Sequence, residues 1–353
     1  MPPAHPAPDR APLGRREVAP IVDAWRALTG GARVRDTHRR TLVALSAGAD
    51  SSALLLALAV GAWSHRGSLV AAHIIHDLRP RRESLADARA AERLAQRLRI
   101  AFVRAEVRVR NQKGNAEELA RRARLAELLR LALAHDCAFI ATGHHAGDQL
   151  ETVLLRLIQG SGPRALGGIA PSRVIHREPP VRLIRPLLTT PRAQLESLCR
   201  QARVRWRTDA TNADLSRARA LLRAKVLPVL RTLSPNADAN AAASARRLRR
   251  AGVALEHLAA RIPARRTKDV ITARRTHLAE APAPVLAAWL RRCVAHAPGA
   301  RRINARAISA AVRAIRDGQG GTRELRLGPA ILRLTRDIVR IRLAPRPSQG
   351  PHE

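Results

Sequence analysis

The stretch LSAGADSS, residues 45–52, follows the apolar run TLVA and precedes ALLLALAV. A loop of small residues therefore stands between an expected strand and an expected helix. The start of a helix offers unpaired backbone N–H groups and the positive end of its dipole, which together hold phosphate. Small side chains let the backbone approach such a ligand closely. Ser46, Gly48, Ser51 and Ser52 fit that task, and Asp50 is the candidate to hold Mg2+. The loop has no lysine, which suits it to gripping a pyrophosphate group. Many strand–helix turns contain glycine and serine for steric reasons alone. Further along, His144 and His145 follow another expected strand, and Asp148 and Glu151 lie three apart on one face of the next helix. His144 is placed to touch a phosphate. The two acids also read simply as a helix start favoured by the dipole. Arg121 and Arg124 are at helical spacing, and a guanidinium suits the charge on a phosphoryl group during transfer. In a chain this rich in arginine, a solvated helix face is the competing explanation for either.

These residues need a frame. From about residue 38 the apolar pattern switches regularly between strand and helix. Strands are expected at 41–46, 68–76, 100–109, 137–143 and 181–188, with helices at 51–63, 83–99, 115–136, 148–160 and 191–202. Gly160 closes one helix, and Pro191 opens another. Residues 160–172 read as a mobile loop over the site, and 214–233 as a basic helix up to Pro228. The alternation predicts an α/β fold, a parallel sheet with helices on both faces. In such a sheet the ligand crevice lies at the carboxyl ends of the strands, so 46–51, 73–80 and 143–148 should converge. Residues 236–320 read as all-helical, and 322–343 as two or three short strands. The expected division is a Pro/Arg-rich disordered extension at 1–38, a catalytic domain at 39–235 and a smaller basic, mainly helical region at 236–353.

The loop resembles the SGGxDS loop of the N-type ATP pyrophosphatases, with Ala47 where that family has its first glycine. A methyl group there is comfortable only at negative φ. ATGHHAGDQLETVLLRLIQGSGPRALGGI (141–169), HIIHDLRP (73–80), GNAEELARRAR (114–124), IRPLL (184–188) and WRTDATNAD (206–214) resemble, in family order, blocks of the tRNA(Ile)-lysidine synthetases. The resemblance spans residues 41–230. It implies that Ser46, Ala47, Gly48, Ala49, Asp50 and Ser51 hold ATP, with catalysis by Asp50, Arg124, His144, Asp148 and Glu151. The implied reaction adenylates the C2 oxygen of the wobble cytidine of an isoleucine tRNA with a CAU anticodon. The ε-amine of free lysine then attacks C2 and expels AMP. Asp148 and Glu151 would bind the lysine ammonium, and one would take its proton. Ile75, Asp77, Gly147, Ala220 and Leu221 also depart from the family pattern.

Composition bounds the partners. Lys+Arg number 64 against 28 Asp+Glu, a formal net charge of +36. Arginine stands in for lysine almost throughout, but that exchange does not explain the shortage of acids, so a polyanion, first of all nucleic acid, is the expected partner. Aromatic residues are 2% with no tyrosine, so contacts to RNA should run through phosphates rather than stacked bases, and the basic region 236–353 is expected to grip tRNA outside the anticodon in this way. No apolar run is long enough to span a membrane. Cys137, Cys199 and Cys293 are isolated, which fits a reducing, cytoplasmic setting and argues against a tRNA thiolase that needs paired cysteines. A basic RNA-binding protein that has lost its chemistry is the non-enzymatic alternative. Homodimerisation is left open.

Overall fold

The computed structural model describes residues 13–31, 33–78, 80–110, 116–207, 218–295, 303, 305–317 and 321–343. They divide into two units, Met1–Glu151 with Ile169–Ala243, and Thr152–Gly168 with Ser244–Glu353.

The first unit is built on six strands: β1 (Thr41–Ala44), β2 (Leu69–His76), β3 (Ala101–Val107), β4 (Phe139–Ala141), β5 (Ser172–Arg177) and β6 (Pro180–Ile184). Their order is β3-β2-β1-β4-β6-β5. All neighbours are parallel except β5, which pairs antiparallel with β6 at the edge. The strands are apolar on both faces because both are covered. Leu42, Val70, Ile140 and Leu183 face α4 (Ala116–Ala134) in one cluster, with Leu128, Leu131 and Ala132. Val43, Leu45, Leu69, Ala71 and Ile184 face the other way. That side is covered by α1 (Arg15–Leu28), α2 (Ala49–Gly61), α3 (Arg81–Arg97) and α7 (Arg192–Gln201). Helix α2 is buried from Ser51 to Val60 because it packs between α1 and α7 as well as against the sheet, so it is apolar all round. Sequence order leaves β1 in one direction to β2 and β3, then returns to β4 on its other side. The carboxyl ends of β1 and β4 therefore flank the switch point, where ligands bind in open α/β sheets.

Several expectations need correction. The 1–38 extension is not disordered throughout: α1 lies within it, and Val18, Ile21, Val22 and Trp25 are buried at helical spacing. Arg39 is 1% exposed, and its guanidinium donates to the carbonyls of Arg26, Thr29, Gly31 and Val34 and pairs with Asp36. These bonds satisfy carbonyls at the end of α1 and in the turn that follows it. Residues 1–12 lie outside the described residues. The expected last strand at 181–188 is one arm of a hairpin whose other arm, β5, hides among polar residues. The expected mobile loop at 160–172 contains a short helix, α6 (Pro163–Leu166). Gly160 ends α5 (Ala146–Ile158) in the left-handed region, φ +64°. Helical structure also continues past Pro228. The chain runs through α8 (Ala218–Leu221), a wider i→i+5 stretch at Leu222–Val226, and α9 (Leu227–Leu233). Proline lacks an N–H, and here it sits in the first turn of α9, where no donor is required.

The second unit packs helices on one face of an antiparallel sheet. The strands are β7 (Arg265–Arg266), β8 (Val270–Arg274), β9 (Arg323–Leu327), β10 (Ala330–Leu334) and β11 (Ile338–Leu343), in the order β7-β8-β11-β10-β9. The apolar core joins Ile271, Ala273, Leu332, Leu334, Val339 and Ile341 to α11 (Arg275–Glu280), α12 (Ala283–Val294) and α13 (Ala305–Arg316). The three terminal strands match expectation. The all-helical reading of 236–320 does not hold, because β7 and β8 interrupt it. VITAR is a five-residue run that buries only Ile271 and Ala273, too short a pattern to stand out beside the arginines. The helix α10 (Ala237–Ala260) carries the boundary between units at 243/244, eight residues beyond the expected break at 235.

Candidate active site

The loop after β1 is tied by its own serines. The Ser46 amide donates to Ser51 Oγ (3.1 Å), the two hydroxyls lie 3.0 Å apart, and Ser51 Oγ donates to the Gly48 carbonyl (3.2 Å). Gly48 is the N-cap of α2, so the first-turn amides of Ala49, Asp50 and Ser51 face the end of the sheet. Gly143, after β4, crosses close to this turn, and a Cβ there would lie 3.0 Å from the Ser51 amide nitrogen. Ala47 has φ +63°. The condition under which a methyl group is comfortable is thus not met, and the loop holds alanine in the left-handed region. Its carbonyl accepts a hydrogen bond from the Arg207 amide (3.0 Å).

A cleft of about 480 Å3 opens at this end of the sheet. Ser46 and Gly48 line it together with Arg121, Arg124 and His144, so five of the sequence-derived candidates meet there. His144 Nδ1 shares a 2.9 Å hydrogen bond with Thr142 Oγ1. Burial pushes its pKa down to about 4, against the opposing pull of Asp148, so the ring is neutral at pH 7. Arg124 is half-buried and Arg121 more exposed.

Four further cleft residues carry no role in the sequence reading. His73 donates from Nδ1 to the Leu45 carbonyl (2.7 Å), and burial lowers its pKa. Arg207 pairs with buried Asp87. Arg185 is 7% exposed and donates to the Ala170 carbonyl (2.6 Å). His73, Arg185 and Arg207 all stand inside quoted blocks (HIIHDLRP, IRPLL, WRTDATNAD), so the signal was present without an assignment. Asp87 is an ordinary helix acid in sequence. Residues 208–217, the rest of the last block, lie outside the described residues, as do 114 and 115.

The acids form a separate cluster beside the loop. Asp148 Oδ2 accepts from the His145 amide (2.9 Å), the N-terminal cap geometry of α5. The Gly147 amide donates to His145 Nδ1 (3.0 Å), which leaves Nε2 to face the carboxylates. His145 Nε2 lies 3.7 Å from Asp50 and 3.8 Å from Asp148. A Cβ on residue 147 would come within 2.8 Å of the His145 ring. The absence of a side chain at Gly147 leaves space for the His145 ring in this position. Burial raises the pKa of Asp50, and its Oδ1 is buried without a hydrogen-bond partner. Glu151 is 4% exposed and is held by Arg223, whose Nη2 also lies 3.6 Å from Asp148 Oδ1. The acid pair thus already holds a cation supplied by the chain itself. Among the described residues no three of His, Cys, Asp and Glu converge on a metal position. Among the described residues, the orphaned Asp50 oxygen is the feature that fits a bound divalent ion.

The three cysteines are buried, and burial pushes their thiols up to about 11 for Cys137 and about 12 for Cys199 and Cys293. Such thiols are poor nucleophiles at neutral pH. No helix among the described residues is long and apolar enough to cross a membrane.

A PP-loop domain model matches residues 23–230. The chain is 38% identical over 214 residues to the tRNA(Ile)-lysidine synthase of Symbiobacterium thermophilum, covering 60% of this chain and 44% of that protein. It is 40% identical over 210 residues to that of Nitratidesulfovibrio vulgaris, covering 58% of each. The chain spans about half the length of the curated relatives it matches. Among solved structures, the U34-tRNA thiolase NcsA of Methanococcus maripaludis with its [4Fe-4S] cluster superposes with a TM-score of 0.51 at 17% identity, over 67% of this chain and 80% of that one. That likeness concerns the fold.

Proposed function

The chain belongs to the PP-loop family, and from that premise we propose that it ligates lysine to C2 of the wobble cytidine of an isoleucine tRNA with a CAU anticodon, at the expense of ATP. The observation that carries this reading is one cleft, at the switch point of the sheet, that joins the loop to Arg121, Arg124 and His144. The acids of α5 stand next to the same loop.

In this reading the first turn of α2 and the serine hydroxyls grip the β- and γ-phosphates. The cytidine O2 attacks the α-phosphorus, the α–β bridging bond breaks and pyrophosphate leaves. Arg121 and Arg124 offset the charge that develops on the phosphoryl oxygens. His144 is neutral and held by Thr142, so it acts as a hydrogen-bond partner of the adenylate rather than as a cation. Asp50 would hold Mg2+, which when bound lowers the charge on the phosphates. The lysine amine then attacks C2 and AMP leaves. Asp148 and Glu151 receive the ammonium in place of, or beside, Arg223, and one carboxylate accepts its proton. The setting proposed for this chemistry is the cytoplasm.

The test is incorporation of labelled lysine into an unmodified isoleucine tRNA transcript, with Glu151→Gln as the comparison. Wild type is expected to label the RNA in an ATP-dependent manner, and Glu151→Gln to lose at least tenfold in kcat/KM for lysine. Absence of label from wild type would sink the reading.

A further inference from the structure

His145 has no task in the proposed reaction, yet it is 7% exposed and lies between two acids from different helices. Asp50 comes from the first turn of α2, and Asp148 from the first turn of α5. The Gly147 amide donates to His145 Nδ1 (3.0 Å). That bond needs the lone pair on Nδ1, so it fixes the neutral tautomer with the hydrogen on Nε2. The one remaining N–H faces two carboxylate oxygens, with Nε2 3.7 Å from Asp50 Oδ2 and 3.8 Å from Asp148 Oδ2. Both distances are too long for a hydrogen bond. A shift of about 1 Å toward either acid forms one and commits the donor to that acid.

The other oxygens of the same acids serve two different ligand positions. Asp50 Oδ1 is buried with no hydrogen-bond partner, and it is the atom suited to a divalent ion. Asp148 Oδ1 lies 3.6 Å from Arg223 Nη2, where the acids of α5 are proposed to receive the lysine ammonium. Carboxylate, imidazole and carboxylate thus form a short chain from one cation position to the other. Arg231 of α9 is a further charged group nearby; its guanidinium passes close to Gly147 and pairs with Asp238. Two acids compete for one donor. Once Asp50 is neutralised by a cation, its claim on the donor lapses. The N–H then closes on Asp148 Oδ2, which already accepts from the His145 amide (2.9 Å), and the carboxylate is held with Oδ1 toward the amine.

We propose that His145 is a positioning residue that couples the nucleotide site to the lysine site through its single Nε2–H. The inference rests on the proposed lysine ligation. It makes the binding of Mg2+–nucleotide and of lysine mutually reinforcing, because coupling between two sites is reciprocal. His145 touches none of the reacting atoms and acts through Asp148.

The test measures lysine affinity by calorimetry, with and without Mg2+ and α,β-methylene-ATP, whose bridging carbon blocks cleavage. Wild type should bind lysine about tenfold more tightly with the nucleotide present, and the nucleotide more tightly with lysine by the same factor. Two replacements separate the roles of the ring. His145→Asn places an oxygen near the Nδ1 position, able to accept from the Gly147 amide, but loses the far N–H. His145→Gln loses that acceptor and places an N–H near the Nε2 position. The coupling should vanish in His145→Asn and persist in His145→Gln. A histidine with a structural role alone would give the reverse order, and that result overturns the proposal, as does full coupling in both variants. Gly147→Ala is a second route that keeps the histidine, since its Cβ would come within 2.8 Å of the ring. It should lower the coupling with an unchanged circular dichroism spectrum; full coupling there also overturns the proposal. Wild type that binds both ligands without coupling overturns this inference and leaves the proposed reaction standing. Wild type that binds the nucleotide but no lysine in either condition sinks the proposed reaction, and this inference with it.

Discussion

At the residue scale, Ala47 shows what a motif conceals. The resemblance to a glycine-rich loop was legible, but the backbone angle was not, because φ at one position follows from the turn that closes around it. Here the turn is pinned by the serine hydrogen bonds and by the Arg207 amide. An L-residue in the left-handed region costs roughly 1–2 kcal/mol, while glycine loses about 0.5–1 kcal/mol more chain entropy than alanine. Ala47→Gly should therefore leave stability unchanged or raise it by up to about 1 kcal/mol, read as the urea midpoint, whereas Ala47→Val should lower it clearly. His144 makes a second prediction. Burial holds its folded pKa down at about 4, below the ordinary imidazole value of about 6.5. Between those values the unfolded chain binds the proton and the folded chain does not, so stability falls as pH drops from about 6.5 to 4. His73 pulls in the same direction. His144→Gln should flatten, without abolishing, the decline of Tm over that window. An unchanged slope would contradict the burial of His144.

At the element scale, α5 combines features that sequence separates. Asp148 and Glu151 were placed correctly on one face by their spacing. Their partner, Arg223, comes from a stretch 72 residues later than Glu151, and no local pattern announces it. It stands in the i→i+5 stretch just before α9, and such wide turns redirect side chains and often mark functional positions. Glu151 is buried, so removing its cation leaves a charge with poor solvation. A fully buried pair broken in this way costs about 3–5 kcal/mol. Arg223 is 43% exposed, so Arg223→Met should destabilise by only about 1–2 kcal/mol, measured by denaturant unfolding. No loss would mean the pair is incidental. The missed strands share a cause: β5 and β7 bury no residue and β8 buries two, so none carries a readable apolar period. The long helices and the central strands were legible because their apolar periods are complete.

At the scale of the whole molecule, the parallel sheet was legible in the apolar pattern, and the charge of +36 argues separately for a polyanionic partner. The alternation of elements predicted the crevice, and the switch point between β1 and β4 is where the candidate residues meet. The division into units was less legible, because two of its three boundaries fall inside α5 and α10 rather than in linkers. In the proposed reaction the loop of residues 45–52 releases pyrophosphate when the correct RNA is bound. The direct measurement is pyrophosphate release from ATP in the presence of lysine and the unmodified isoleucine tRNA, for wild type and Asp50→Ala. Release should require the tRNA and fall at least a hundredfold in the variant. Tight binding of that tRNA by wild type with no pyrophosphate released would contradict it, and the chain would then be an RNA-binding protein on a PP-loop frame.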